Sequence, residues 1–94
     1  MKKAPYVRMY ATRFCPYCIR AEALLRQKGV ADIDKILVDD DPSRRDEMTE
    51  ETGRYTVPQI FIDGFHVGGC DDLYALEHSG RLDELLAGQR APHT

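Results

Sequence analysis

The 94-residue chain is 43% hydrophobic and 31% charged, the make-up of a globular chain with one modest core, so 1–94 is read as a single domain. A net charge of −3 gives no electrostatic case for nucleic acid or an anionic membrane as partner. Nowhere does the sequence approach the roughly 20 consecutive apolar residues of a membrane span, and Lys2 and Lys3 have no apolar stretch behind them, so a cytoplasmic location is expected.

Residues 7–11 form a short apolar run and are expected to be a buried strand. The next element is a helix over 16–28: Pro16 suits its first position, Cys18, Ala21, Leu24 and Leu25 share one face, and Gly29 ends it. Residues 33–39 read as a second strand. Asp41-Pro42-Ser43 then opens a polar helix over 44–52, closed by Gly53. Two apolar runs, 58–62 and 65–68, flank Asp63-Gly64, a strong hairpin signal that makes the last two strands antiparallel. A helix over 71–79, Gly80, a short helix over 82–87 and a frayed tail over 88–94 complete the chain. Two β-α units followed by a hairpin predict an α/β, thioredoxin-like fold: a four-stranded mixed sheet with helices on both faces.

Cys15-Pro16-Tyr17-Cys18 lies where the first strand enters the first helix, the setting in which a Cys-x-x-Cys reads as a redox site. Only a thiolate attacks a disulfide, so Cys15 has to shed its proton more readily than a free cysteine. The helix macrodipole contributes about 0.3–1 kcal/mol, and up to about 2 in favourable geometry. A depression of several units requires about 1.4 kcal/mol for each. Backbone hydrogen bonds from Tyr17 and Cys18, and positive charge from Arg13 or Arg20, are the supplements at hand. Cys15 is expected at an exposed helix start; Cys18, one turn further in, is expected to be more buried with the higher pKa. Cys15 is thus assigned as nucleophile and Cys18 as resolving thiol. A zinc half-site is the structural alternative, but no second Cys/His pair stands at suitable spacing, so no metal is expected.

The Cys-Pro-Tyr-Cys run, the stretch Tyr55-Thr56-Val57-Pro58-Gln59-Ile60-Phe61-Ile62 and the stretch Gly68-Gly69-Cys70-Asp71-Asp72-Leu73 together resemble the dithiol glutaredoxins, especially the small bacterial type. The resemblance spans residues 7–86. It implies a glutathione-dependent thiol–disulfide oxidoreductase, with glutathione as co-substrate, no tightly bound cofactor, and protein disulfides and glutathionylated proteins as partners of a monomeric enzyme. It further implies a cis bond before Pro58 that turns the Val57 N–H and C=O outward, where a peptide-like substrate can pair as a short extra strand. The Cys70 and Asp71 amides, approached closely because Gly68 and Gly69 precede them, would take the γ-glutamyl carboxylate, and Asp72 its ammonium group. Tyr17, Arg54, Thr56, Val57, Pro58, Gly69, Cys70, Asp71 and Asp72 are the implied glutathione contacts, Arg54 as a candidate for the glycine carboxylate. One departure is visible: the family commonly has a lysine three residues before the first cysteine, and Thr12 stands there, with Arg13 next.

Plainer readings accompany several of these residues. One of Asp71 and Asp72 is expected to cap the helix while the other binds. Tyr17 either shields the sulfur or touches the ligand. Cys70 is read as a small, partly buried residue at a glycine turn. His66, His78 and His93 are assigned to the surface, and Asp39, Asp40, Asp41, Asp46, Glu47, Glu50 and Glu51 to solvated loop and helix faces. Two other functions fit a Cys-x-x-Cys on this fold: an electron carrier reduced by a flavoprotein reductase, which has no need of the 69–72 anion site, and a glutathione-ligated 2Fe–2S carrier, against which Pro16 and the resolving Cys18 count.

Overall fold

The computed structural model describes residues 5–88. Its elements run β1 (Val7–Ala11), α1 (Pro16–Gln27), β2 (Ile33–Leu37), α2 (Pro42–Thr52), β3 (Gln59–Ile62), β4 (Phe65–Gly68), α3 (Cys70–His78) and α4 (Arg81–Leu86). The sheet order is β2-β1-β3-β4, with β1 parallel to β2 and antiparallel to β3, and β3 antiparallel to β4. This is the expected mixed sheet of a thioredoxin-like fold.

Alternation along β1 distributes the helices. Val7, Met9 and Ala11 point to one face, where they join Ile60 and Ile62 of β3 and the buried sides of α1, α3 and α4, including Leu25, Leu73 and Leu82. Tyr10 points to the other face and packs with Phe61, Val38 and Met48, the one buried residue of α2. That second core is small and is closed by a cation. The Arg8 guanidinium lies 4.1 Å from the Phe61 ring centre and donates to both oxygens of Glu51, at 2.7 and 3.1 Å, and to the Tyr10 hydroxyl at 2.9 Å. Glu51 is therefore not the free, solvated carboxylate its helix-surface position suggested, and Arg8 holds it below the usual carboxylate range.

Most boundaries fall within two residues of expectation, and the differences have local causes. β2 stops at Leu37 because, after one more bond from the Val38 N–H to the Ala11 carbonyl at 2.9 Å, the chain turns through Asp39 and Asp40. α2 begins two residues early because the Asp41 carboxylate accepts from the Ser43 amide at 3.0 Å and Pro42 fits the first turn. Asp39 and Asp40 are also engaged, through the Arg13 amide at 3.2 Å and the Arg13 guanidinium at 2.7 Å. Gly88, expected in the tail, completes the turn after α4 with its N–H on the Leu85 carbonyl; 89–94, including His93, lie outside the described residues.

Register decides what meets at the end of the sheet. Tyr10 pairs with Gln59, and Ile60 with Gly68. The exit of β1, the entry of β3 and the exit of β4 therefore share one edge, and the segments around Cys15, Val57 and Gly69 converge there. Among the described residues no helix is long and apolar enough to cross a membrane.

Met48→Ala tests the second core. Removing this fully buried side chain is expected to cost about 2–5 kcal/mol, read as a lowered urea midpoint with an unchanged slope; a midpoint within error of wild type would mean that α2 does not depend on this contact.

Candidate active site

Cys15 is the N-cap of α1, in extended conformation, and its sulfur accepts from the Cys18 amide at 3.1 Å. Of the two backbone donors expected from sequence, only this one is in place. The same sulfur lies 3.9 Å from the Val57 carbonyl oxygen. Exposure does not separate the two thiols as expected, since Cys15 is 7% and Cys18 4% accessible. Their surroundings do. Burial pushes the Cys18 thiol up to about 12, and its interaction with Cys15 adds to the rise. Burial also raises Cys70, partly offset by the charge of Arg20.

The two arginines expected to support the thiolate line a hollow with Phe14, Cys15, Pro16 and Ile19. Neither guanidinium is bonded to a sulfur among the described residues. Arg13 pairs with Asp40, and Arg20 lies 5.6 Å from the Tyr74 ring centre.

Val57, whose carbonyl the sulfur approaches, lines a separate groove of about 210 Å³ with Tyr17, Arg54, Thr56, Pro58, Gly69, Cys70, Asp71 and Asp72. The structure thus brings together, from α1, the β3 entry and the start of α3, every residue the resemblance implied for one ligand. The Val57–Pro58 bond is cis. At the start of α3 the Cys70 and Asp71 amides precede the first intrahelical bond, Leu73 N–H to Gly69 carbonyl, and have no protein acceptor among the described residues. Asp72, not Asp71, reaches back to the helix start, its Oδ2 accepting from the Gly69 amide at 2.9 Å and from Arg54 Nη1 at 3.0 Å. Those bonds, the Gly69 amide foremost, hold its carboxyl below the usual range, and its Oδ1 has no protein partner among the described residues. Arg54, a candidate for a distant carboxylate, is committed to Asp72 instead. The close approach needs glycine: a Cβ on Gly68, at φ 112°, would collide with the Asp72 carboxylate.

The glutaredoxin family model matches residues 7–67. The chain is 54% identical to a glutaredoxin of Pseudomonas aeruginosa over 83 residues, covering 88% of this chain and 98% of the relative. It belongs to the glutaredoxin family. Among solved structures it resembles glutaredoxin from Brucella melitensis, at 52% identity and TM-score 0.79 over 93% of this chain and 95% of that one. It also resembles a buckwheat glutaredoxin–glutathione complex, at 30% identity and TM-score 0.82 over 89% and 78%. Membership makes thiol–disulfide oxidoreduction the chemistry of this glutaredoxin, and the paired cysteines at the helix start fit the dithiol motif.

Sequence reasoning passed over two residues. Gln59 is a polar side chain with no exposure at the head of an otherwise apolar strand, and His66, assigned to the surface, is half-buried and 2.8 Å from it. The signal for Gln59 was its polarity inside an apolar run; nothing in the sequence singled out His66.

The raised thiols give a direct check. At about pH 9, above the ordinary thiol value near 8.5, iodoacetamide is expected to leave Cys18 and Cys70 of the native protein unmodified and to label both after unfolding. Labelling of native Cys18 at the rate of a free thiol would contradict the burial that raises it.

Proposed function

We propose that this glutaredoxin is a glutathione-dependent oxidoreductase acting on protein–glutathione mixed disulfides and protein disulfides, with Cys15 as nucleophile and Cys18 as resolving thiol. The observation that carries the reading is the position of the Cys15 sulfur 3.9 Å from the carbonyl of Val57, a residue that lines a groove together with two amides and a carboxylate oxygen at the start of α3 that have no protein partner among the described residues. Glutathione has matching features along its length: a thiol, a peptide backbone and a γ-glutamyl zwitterion. Its cysteine residue would pair with Val57 as a short strand, its α-carboxylate would take the Cys70 and Asp71 amides at the helix start, and its ammonium would face Asp72 Oδ1. The buckwheat glutaredoxin solved as a glutathione complex supports glutathione as the ligand of such a groove.

In the one-thiol route the Cys15 thiolate attacks the glutathione sulfur. A bond forms between these sulfurs, the original disulfide breaks, and the protein thiolate leaves and takes a proton. A second glutathione thiolate then attacks the glutathione sulfur bound to Cys15, giving glutathione disulfide and restoring the Cys15 thiolate. In the two-thiol route the Cys15 thiolate attacks a protein disulfide, which breaks to release one protein thiolate and leaves the other sulfur bonded to Cys15. Cys18 then displaces that sulfur to close a Cys15–Cys18 disulfide, and two glutathione thiols reduce it, giving glutathione disulfide and both free cysteines. The high pKa of Cys18 suits this division of labour, because a thiol that stays protonated does not compete for the first attack. It becomes a nucleophile when it passes its proton to the departing thiolate. All these groups come from one chain, so a monomer suffices.

Cys15→Ser is expected to abolish both reactions. Cys18→Ser is expected to retain turnover of a glutathione mixed disulfide and to lose reduction of protein disulfides, because an external thiol cannot match the effective concentration of an intramolecular one. Both are read in a glutathione-coupled assay. Full protein-disulfide turnover by Cys18→Ser would overturn the two-cysteine mechanism, and a wild-type rate independent of glutathione would overturn the glutathione dependence.

A further inference from the structure

We propose that Gln59, held in turn by His66, is a positioning residue that aims the Val57 amide into the groove. The inference rests on the pairing of substrate with Val57 proposed above and names what sets its direction.

Gln59 opens β3 and has no exposure, so both ends of its amide must find partners within the protein. Its Nε2 lies 3.1 Å from the Thr56 carbonyl oxygen and 3.4 Å from the Thr56 hydroxyl, and its Oε1 lies 2.8 Å from His66 Nε2. A backbone carbonyl can only accept, so the NH₂ end of Gln59 must face Thr56. Oε1 then faces His66, and the hydrogen of the His66 ring must be on Nε2. The ring cannot easily turn away. It stacks on Phe61 with centroids 4.9 Å apart at 30°, and Phe61 carries the Arg8 guanidinium at 4.1 Å.

The consequence for the groove follows from one peptide plane. The Thr56 carbonyl and the Val57 N–H belong to the same peptide unit, whose trans geometry sets them on opposite edges. When Gln59 draws the carbonyl inward, the N–H is turned outward, and among the described residues no protein group accepts from it. Val57 also lines the groove. A buried relay from β4 through β3 thus decides where a surface donor points, which explains a wholly buried amide where an aliphatic side chain would otherwise pack.

Gln59→Met keeps length and burial but removes both hydrogen bonds; His66→Phe keeps the stack on Phe61 and removes the donor that orients Gln59. Each is expected to raise KM for a glutathionylated peptide about five- to tenfold, the loss of roughly one backbone hydrogen bond, while kcat stays within about twofold. Each is also expected to move the Val57 amide resonance and speed its hydrogen exchange, and the nitrogen shifts of wild-type His66 are expected to report the Nε2–H form. Unchanged KM and an unmoved Val57 amide in both variants, or a wild-type His66 protonated on Nδ1 alone, would overturn the proposal. So would equal losses of kcat and kcat/KM with Val57 unmoved, the pattern of general destabilisation. If the wild-type protein shows no saturation with glutathionylated peptide, the function proposed above fails, and the Val57 amide and the His66 tautomer still decide the role of Gln59.

Discussion

The antiparallel register of β3 against β1 is the constraint on which the site depends. Because Tyr10 faces Gln59 and Ile60 faces Gly68, the sheet delivers the end of β1, the start of β3 and the end of β4 to a single edge. Each segment brings one kind of chemistry there: a sulfur at a helix start, a peptide unit beside it, and a second helix start with free amides. A slip of β3 by one residue would turn Ile60 and Ile62 out of the main core and Phe61 into it, so the burial of those side chains holds the groove in place as firmly as any contact within it.

Local electrostatics then separate three cysteines that share one hydrophobic cluster. Cys15 receives the Cys18 amide, while Cys18 and Cys70 are raised by burial. The nearby guanidiniums have other partners, Arg13 on Asp40, Arg54 on Asp72 and Arg20 over Tyr74, and only the charge of Arg20 is felt at a sulfur, that of Cys70. Two backbone groups lie against the Cys15 sulfur, the Cys18 N–H at 3.1 Å and the Val57 carbonyl at 3.9 Å, and the Cys18 thiol interacts with it as well. At the start of α3 one Asp72 oxygen ties down the Gly69 amide and takes Arg54, and the other has no protein partner among the described residues.

The fold was legible because each element carried its own signal. Apolar runs marked the strands, Pro16 and Pro42 opened helices, and Asp63-Gly64 marked the hairpin. The groove residues were legible only through the resemblance of three separated stretches, since nothing local to Thr56 or Cys70 says that they meet. The directions of long side chains were not legible. Arg54 bends to Asp72, eighteen residues on, and Arg8 spans a core to reach Glu51, because those partners come within range only after the sheet has formed. Gln59 and His66 were missed for the same reason: a buried polar relay crosses two strands, whereas periodicity reports one strand at a time.

The central claim is that glutathione bonds to Cys15 and lies along the groove from Val57 to Asp72. The most direct measurement is amide NMR of the Cys18→Ser protein after reaction with glutathione disulfide, with the modified cysteine located by peptide mass. The expected result is one glutathione on Cys15, with the largest amide shifts at Val57, Cys70 and Asp71. Glutathione on Cys70, or shifts confined to Phe14 and Ile19 on the opposite flank of the sulfur, would contradict it.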